Sequence, residues 1–295
     1  MTFSFRRTLL MISVLLFQAL SACTAKKSVP QTSVPQTPRA ESTTLPRVSL
    51  PDTEVRQLKS PATGRSYDIY VLLPTDYAKT DRKYPVLYVL DGQWDFKLLD
   101  SIYGGLLFDQ FVPEMLIVGI TYSGEDPDYG ALRAMDYTPV QDVFIPGSGE
   151  APKFLTFLKE QLLPFIESSY RVDPSQRALL GSSFGGTFSL YAMFSEPALF
   201  RGYVISSPIV TYGQRFAFQQ EAEYASRHKD LSVRVFLSVG ELEEVTGPVQ
   251  EFIQVLSERH YTGLEMETRI IVGERHAGNK PEAYNRGLRF IFQDQ

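Results

Sequence analysis

The chain has 295 residues, and its 34 acidic and 29 basic side chains give a formal net charge of −5 at pH 7. This negative balance disfavours nucleic acid and anionic lipid surfaces as partners. The single cysteine excludes an intramolecular disulfide, so the stability of the folded part must come from its core.

The first 22 residues have the layout of a bacterial secretory signal. Arg6 and Arg7 precede an apolar stretch, residues 9–20, and small residues then lead into Cys23. This arrangement resembles a lipobox, and the resemblance implies cleavage before Cys23, lipid attachment to it, and a membrane-anchored protein on the periplasmic side of the cell envelope. An ordinary signal peptide followed by an incidental cysteine is the alternative.

Residues 23–46 form a predicted flexible tether, and residues 47–295 form a predicted domain. The tether is rich in Ser, Thr, Pro and Gln and nearly free of large apolar side chains, so it cannot bury enough surface to fold. The remaining length of about 250 residues suits one α/β domain.

Short apolar runs alternate with helical patterns along this domain. Residues 54–58 and 67–73 flank a turn at residues 60–64 and predict a hairpin. Later runs predict buried strands at residues 84–90, 115–121, 177–180, 202–205, 233–239 and 267–272. Apolar spacings of three and four predict helices at residues 154–165 and 249–256. The sequence therefore predicts an α/β fold with a mostly parallel central sheet, helices on both faces, and ligands bound beyond the carboxyl ends of the strands.

A long connection rich in Gly, Pro and Asp, residues 123–150, separates the fourth strand from the next helix. Loops of this kind above a sheet edge usually shape access to a site. We therefore expect this connection to border the site.

The run Gly181-Ser182-Ser183-Phe184-Gly185-Gly186 lies between an apolar strand and a helical pattern. A strand-to-helix turn of this G-x-S-x-G type exposes a serine at the sheet edge and aims the next N–H at a developing oxyanion. Ser183 is therefore the predicted nucleophile. A phosphate-cradling loop is the alternative, but no Lys or Arg lies within the turn to support a phosphate.

A serine nucleophile needs a base, and the chain has three histidines. His228 lies in a charged stretch and His260 ends an amphipathic helix, so both are predicted surface groups. His276 follows the last strand, and the order nucleophile, acid, histidine is the one expected of an α/β-hydrolase. His276 is thus the predicted base, which takes the Ser183 proton and returns it to the leaving group.

A carboxylate should hold the far nitrogen of His276 from the loop after the preceding strand. That loop offers Glu241, Glu243 and Glu244, and their spacing does not separate them. A dyad of Ser183 and His276 without an acid is the remaining alternative.

Four segments resemble the Putative esterase family of α/β-hydrolases, which includes siderophore esterases, feruloyl and acetylxylan esterases, S-formylglutathione hydrolases and mycolyltransferases. The segments are Leu90-Asp91-Gly92-Gln93, Arg133 with residues 136–139, the Ser183 turn, and the Gly240 and His276 loops, within residues 55–295. The resemblance implies the α/β-hydrolase fold and an oxyanion hole made by the backbone N–H groups of Gln93 and Phe184. It also implies that Glu243, three residues after Gly240, is the acid.

Two further side chains are candidate substrate contacts. Trp94, beside the predicted oxyanion loop, could stack on an aromatic acyl group, with plain packing as its alternative role. Arg133 could hold a substrate carboxylate or catecholate, although we expect it to pair with Asp136 and order the loop.

The sequence therefore predicts a serine esterase that cleaves carboxylic esters through an acyl-enzyme on Ser183, and the resemblance implies siderophore trilactones or acyl-sugar esters as substrates. An envelope acyltransferase using the same serine and a non-catalytic binding lipoprotein on a hydrolase scaffold are the alternatives. No cofactor and no metal are predicted, because the sequence has no His-x-x-x-His or other clustered ligand set. The expected partners are a small-molecule ester and, through Cys23, a membrane; no protein partner is identified.

Overall fold

Eight strands form one sheet within residues 49–293, the part of the chain that the structure, a computed structural model, describes. The strands are β1 (Thr53–Lys59), β2 (Ser66–Leu72), β3 (Tyr84–Val89), β4 (Leu116–Tyr122), β5 (Val172–Ser182), β6 (Gly202–Ser206), β7 (Arg234–Gly240) and β8 (Glu265–Ile271). The predicted signal sequence, Cys23 and the predicted tether lie outside the described residues.

The sheet order is β1-β2-β4-β3-β5-β6-β7-β8. The β2 strand runs antiparallel to β1 and β4, and every other neighbouring pair is parallel. The predicted hairpin is present, with Thr53 opposite Leu72 and Lys59 opposite Ser66. The prediction of a mostly parallel sheet is thus confirmed.

The β5 strand is longer than the predicted run at residues 177–180, since it begins at Val172. Residues 173–177 are half-exposed or exposed, and they are mostly polar. An apolar pattern detects only the part of a strand that is buried, so it identified the inner half of β5 alone.

Eight α-helices flank this sheet in the described residues. They are α1 (Gly92–Phe108), α2 (Tyr129–Tyr137), α3 (Ala151–Phe157), α4 (Leu163–Ser169), α5 (Phe184–Ser195), α6 (Tyr212–Arg227), α7 (Thr246–Arg259) and α8 (Lys280–Phe292), with a π-helical turn, Leu158–Leu162, between α3 and α4. None of these helices is long and apolar enough to span a bilayer.

The helices cover both faces of the sheet, as predicted. On one face, Leu99 of α1 and Leu288 of α8 belong to the same buried apolar cluster. On the other face, Phe154 of α3, Phe188 of α5 and Phe252 of α7 belong to a second cluster. Two separate cores therefore hold the sheet between them.

The carboxyl ends of β3 to β8 share one edge of the sheet because these strands run in the same direction. The predicted site residues follow these ends: Gln93 comes after β3, Ser183 after β5, Glu243 after β7 and His276 after β8. The topology thus brings together four segments that are far apart in the chain.

The connection at residues 123–150 is less irregular than predicted, because it contains α2. The Asp128 side chain accepts a hydrogen bond from the Ala131 N–H (3.0 Å) and caps this helix. Only Ala134, Asp136 and Tyr137 of the helix are buried. Such a short buried stripe gives little apolar periodicity for a sequence pattern to detect.

A buried ion pair ties this connection to the hairpin. Arg65, in the hairpin turn, contacts the buried Asp136 carboxylate and lies 2.8 Å from Glu150 Oε2. The Tyr67 hydroxyl donates to Asp136 Oδ2 at 2.8 Å. Burial raises the pKa of Asp136 to about 6, and Arg65 and Tyr67 limit the rise. This internal carboxylate thus joins the last turn of α2 to the hairpin.

We expect Arg65→Met to lower the free energy of unfolding by about 3 kcal/mol at pH 7.5, because it leaves the Asp136 carboxylate buried without a cation. Since the pKa of Asp136 is already raised and loss of Arg65 raises it further, protonation favours the folded variant. The deficit should therefore be small at pH 5 and grow as the pH rises through about 6. Urea unfolding at several pH values measures it.

The matched control is Arg82→Met, which removes an exposed ion pair with Asp76. That change should alter the free energy of unfolding by no more than about 1 kcal/mol. Equal losses in the two variants, or a loss in Arg65→Met that does not vary with pH, would contradict the assignment.

Candidate active site

Ser183 occupies the sharp turn between β5 and α5. Its φ of 61° and ψ of −124° are rare for a residue with a side chain and are found mainly at functional sites. Glycine makes the turn possible, since a Cβ on Gly181 would lie 2.3 Å from the Gly185 carbonyl oxygen. Ser183 is half-exposed, whereas Ser182 is only 1% exposed. The fold therefore presents Ser183 to solvent and buries its neighbour.

His276 is held by Glu243. The His276 Nδ1 atom lies 2.6 Å from Glu243 Oε2, and an ionised carboxylate only accepts hydrogen bonds, so Nδ1 carries the proton in this contact. The other ring nitrogen, Nε2, is then free to act as a base. The His276 side chain is 49% exposed, whereas that of Glu243 is 3% exposed. The pair therefore has a buried acid and an accessible imidazole.

The second carboxylate oxygen of Glu243 is also fully engaged. Glu243 Oε1 accepts from Ser207 Oγ (2.6 Å), the Gly240 N–H (2.7 Å) and Asn279 Nδ2 (2.8 Å). Burial alone would raise the pKa of Glu243, but the hydrogen bonds from His276, Ser207 and Gly240 hold this pKa below its ordinary value. The acid therefore stays ionised at neutral pH.

The other candidate acids and bases lie elsewhere. Glu241 Oε2 accepts from the Gly273 N–H at 2.8 Å, and Glu244 is exposed; within residues 49–293 neither bonds His276. His228 stacks on Tyr224 with ring centroids 4.3 Å apart, and like His260 it is exposed. The described residues contain no group of three His, Cys, Asp or Glu side chains that could hold a metal ion.

Ser183 and His276 share the sheet edge, but the described residues give no hydrogen bond between Ser183 Oγ and His276. An indirect chain of hydrogen bonds connects the two residues. The Ser183 N–H donates to the carbonyl oxygen of Ser206, the last residue of β6, at 3.0 Å. The next residue, Ser207, contacts Glu243, which in turn holds His276. Hydrogen bonds between a nucleophile and its base often tighten only when substrate is bound. The geometry therefore suits a nucleophile and base without a preformed bond.

The backbone N–H groups of Gln93 and Phe184 lie in the first turns of α1 and α5. Helical N–H groups at these positions have no partner within the helix, and neither donates a hydrogen bond within residues 49–293. Thr121 Oγ1 donates to Gln93 Oε1 at 2.8 Å. A Cβ on Gly92 would lie 3.0 Å from the Gly119 backbone, so glycine lets this loop approach β4. Both N–H groups are available to an oxyanion.

The expectation that Arg133 pairs with Asp136 is wrong. Arg133 Nε lies 2.5 Å from Asp91 Oδ1, and Arg133 Nη2 lies 2.8 Å from Asp91 Oδ2. The partner of Asp136 is Arg65, which is 71 residues away in the chain, so local spacing could not reveal it. Asp91 is buried in the left-handed conformation immediately before α1. Arg133 thus anchors the turn that carries Gln93.

Trp94, Arg133 and Phe184 form a wall beside the two N–H groups. The guanidinium carbon of Arg133 lies 5.2 Å from the ring centroid of Trp94 and 5.9 Å from that of Phe184. The Trp94 ring packs edge-on against Tyr129 at 5.6 Å and is still 44% exposed. Nearly half of Trp94 is therefore open to a ligand even though the ring is packed.

Sequence reasoning missed Asn279 and Ser207. Both are fully buried and contact Glu243. The pair Asn279 and Pro281 is a common signature of a helix start. That signal identifies the beginning of α8, but it cannot reveal a contact with a residue 36 positions earlier.

The chain is similar to known proteins in both sequence and fold. The model of the family described as "Putative esterase" matches residues 60–277. The ferri-bacillibactin esterase BesA of Bacillus subtilis (strain 168) is 28% identical over 86% of this chain and 94% of its own length. A siderophore triacetylfusarinine C esterase of Aspergillus fumigatus is 28% identical over 67% of this chain and 70% of its own. The crystal structure of the BES protein from Bacillus cereus superposes with a TM-score of 0.75, at 30% identity, covering 84% of this chain and 97% of that one.

We expect Glu243→Gln to slow covalent labelling of Ser183 by a fluorophosphonate at least tenfold, because the amide cannot stabilise an imidazolium. The control is Glu241→Gln on the same loop, which should stay within about threefold of the wild-type labelling rate because, within residues 49–293, the Glu241 side chain bonds the Gly273 N–H and not His276. Labelling rates followed by intact mass spectrometry measure both. Equally small effects would favour the dyad without an acid.

Proposed function

The chain belongs to the Putative esterase family and is a carboxylic ester hydrolase, and from this premise we propose that it works through an acyl-enzyme on Ser183. One observation carries this proposal: the His276–Glu243 hydrogen bond of 2.6 Å lies at the same sheet edge as the Ser183 turn. A hydroxyl, an imidazole and a buried carboxylate on converging loops are what acyl transfer to a serine requires.

In the proposed first step, His276 Nε2 takes the proton from Ser183 Oγ while Ser183 attacks the ester carbonyl carbon. The carbonyl oxygen becomes an oxyanion and accepts hydrogen bonds from the Gln93 and Phe184 N–H groups. The intermediate then collapses, the bond to the alcohol oxygen breaks, and the proton on Nε2 goes to that leaving oxygen.

In the proposed second step, His276 takes a proton from water, which attacks the acyl carbon. The acid is released, and Ser183 Oγ regains its proton from Nε2. Glu243 faces the positive imidazole in both steps, and its lowered pKa keeps it anionic throughout. Its role is therefore to hold the ring and to stabilise the transient charge.

We further propose that the substrate is a siderophore ester. Of the relatives that cover two thirds or more of this chain, one is named a ferri-bacillibactin esterase and another a siderophore triacetylfusarinine C esterase. The exposed part of Trp94, packed against the Arg133 side chain that pairs with Asp91, provides an aromatic surface next to the proposed oxyanion groups. Such a wall suits an aromatic arm of a siderophore better than it suits a small acetyl ester.

The location of the protein is a separate proposal that depends on sequence alone. We propose that Cys23 carries a lipid that anchors the domain in the cell envelope, because small residues after an apolar stretch lead into it. A tether of about 24 residues would then leave the site clear of the membrane surface.

We expect the purified protein to hydrolyse a trilactone siderophore with aromatic arms faster than an acetylated xylo-oligosaccharide. Ser183→Ala should lower this rate at least about a thousandfold, and Ser182→Ala, in the matched neighbour, should leave most of it. Liquid chromatography with added glycerol separates the free acid from a glyceryl ester. A glyceryl ester as the main product would indicate an acyltransferase instead, and no turnover of any ester would contradict the proposed function.

For the anchor, we expect Cys23→Ser to move the protein from the membrane fraction to the soluble fraction while the esterase activity per molecule stays the same. Fractionation of cells followed by immunoblotting measures this. An unchanged membrane fraction would instead favour an ordinary signal peptide with another mode of attachment.

A further inference from the structure

Asn279 is the most connected polar side chain near the site that has no role in the proposed mechanism. It is fully buried. Its Nδ2 atom lies 2.8 Å from Glu243 Oε1, 2.9 Å from Ser207 Oγ and 2.9 Å from the His276 carbonyl oxygen, with the Arg275 carbonyl oxygen at 3.3 Å. Asn279 therefore contacts both the acid and the loop that carries the base.

The orientation of this amide is determined by its neighbours. A carboxylate and a backbone carbonyl only accept hydrogen bonds, so the amide nitrogen must face Glu243 and His276. On the opposite side, Ser206 Oγ donates to Asn279 Oδ1 at 2.6 Å. Every polar atom of the side chain thus has a partner, and a flipped amide would place two acceptors against each other.

The position of Asn279 in the chain does not explain these contacts. Asparagine directly before a helix usually caps that helix with its side-chain oxygen, but Asn279 makes no such bond to α8. Its oxygen is taken by β6 through Ser206, and its nitrogen points towards Glu243. The Asn279 side chain therefore bonds groups of the candidate active site and does not cap the helix that it precedes.

From these contacts we propose that Asn279 is a positioning residue, which fixes the Glu243 carboxylate and the His276 loop relative to one another. The Asn279 amide accepts a hydrogen bond from Ser206 at the end of β6 and donates to the Glu243 carboxylate and to the His276 carbonyl oxygen. This inference rests on the proposed esterase mechanism, because positioning matters only if His276 must reach Ser183. Asn279 itself touches no reacting atom and acts through Glu243.

The test compares Asn279→Ala with Asn285→Ala, which changes a half-buried asparagine in α8, the helix that Asn279 precedes. Within residues 49–293, the Asn285 side chain makes no hydrogen bond to Glu243 or His276. We expect Asn279→Ala to lower kcat about tenfold to a hundredfold with little change in KM, which corresponds to losing a hydrogen bond to a charged group. Asn285→Ala should keep the wild-type kcat. Asn279→Asp preserves the shape and the Ser206 contact but removes the donor, so it should lose at least as much activity as the alanine variant.

A double-mutant cycle separates positioning from plain stability. If Asn279 acts through Glu243, Asn279→Ala should reduce kcat by less than about threefold in a Glu243→Gln background. Multiplicative losses in the double variant, or wild-type kcat in Asn279→Asp, would overturn the inference while leaving the esterase function intact.

A second readout does not depend on activity. The short His276 Nδ1–H contact with Glu243 should give a strongly downfield proton resonance, which Asn279→Ala should broaden or move and Asn285→Ala should not. An unchanged resonance in Asn279→Ala overturns the inference. If the wild-type protein has this resonance but hydrolyses no ester, the proposed function fails by itself, and the effect of Asn279 on the pair is still measured.

Discussion

Glu243 accepts hydrogen bonds from four groups while it is almost sealed from solvent. An ionised carboxylate is unstable in an apolar interior unless its oxygens are hydrogen-bonded, and here the donors come from three segments: the residue after β6, the end of β7, and the loop between β8 and α8, which carries both His276 and Asn279. Ser207 follows β6, Gly240 ends β7, His276 follows β8, and Asn279 precedes α8. The charge thus requires these three segments to converge, and their convergence positions the imidazole. Packing of the sheet brings these segments near one another, and the hydrogen bonds to this carboxylate join them.

A second buried carboxylate joins the two sides of the site. Asp95, in the first turn of α1, accepts from Lys280 Nζ at 2.9 Å and from the Tyr284 hydroxyl at 2.7 Å, both on α8. The first turn of α1 carries Gln93, and α8 follows the His276 loop. The segment proposed to receive the oxyanion is therefore connected to the segment that carries the base. Together with the Arg133–Asp91 pair, these contacts connect the Gln93 turn to both α2 and α8.

The sequence was sufficient for the parts of the protein that depend on local pattern. The Ser183 turn and the hairpin have the predicted form because glycine spacing and apolar alternation act over a few residues. The order of the loops placed His276 near the sheet edge in the same way.

Other features depend on residues that only the fold brings together. They are the partner of Arg133, the contacts of Asn279 and the choice among Glu241, Glu243 and Glu244. No spacing rule could supply them, and only the family resemblance separated Glu243 from its neighbours. The α2 helix and the outer half of β5 were missed because they bury few side chains.

The exposure of the imidazole bears on the fate of the acyl group. About half of the His276 side chain is exposed to solvent, and Ser183 is half-exposed. An acyl group on Ser183 would therefore lie in an open site and not in an enclosed tunnel. Water then reaches it from the bulk without a dedicated channel, and an alcohol acceptor must compete with the solvent itself. An enzyme that passes acyl groups to alcohols must make the alcohol react faster than water, and excluding water from the intermediate is one way to do so. An open site would also leave room for those parts of a bulky ester that extend beyond the exposed Trp94 ring.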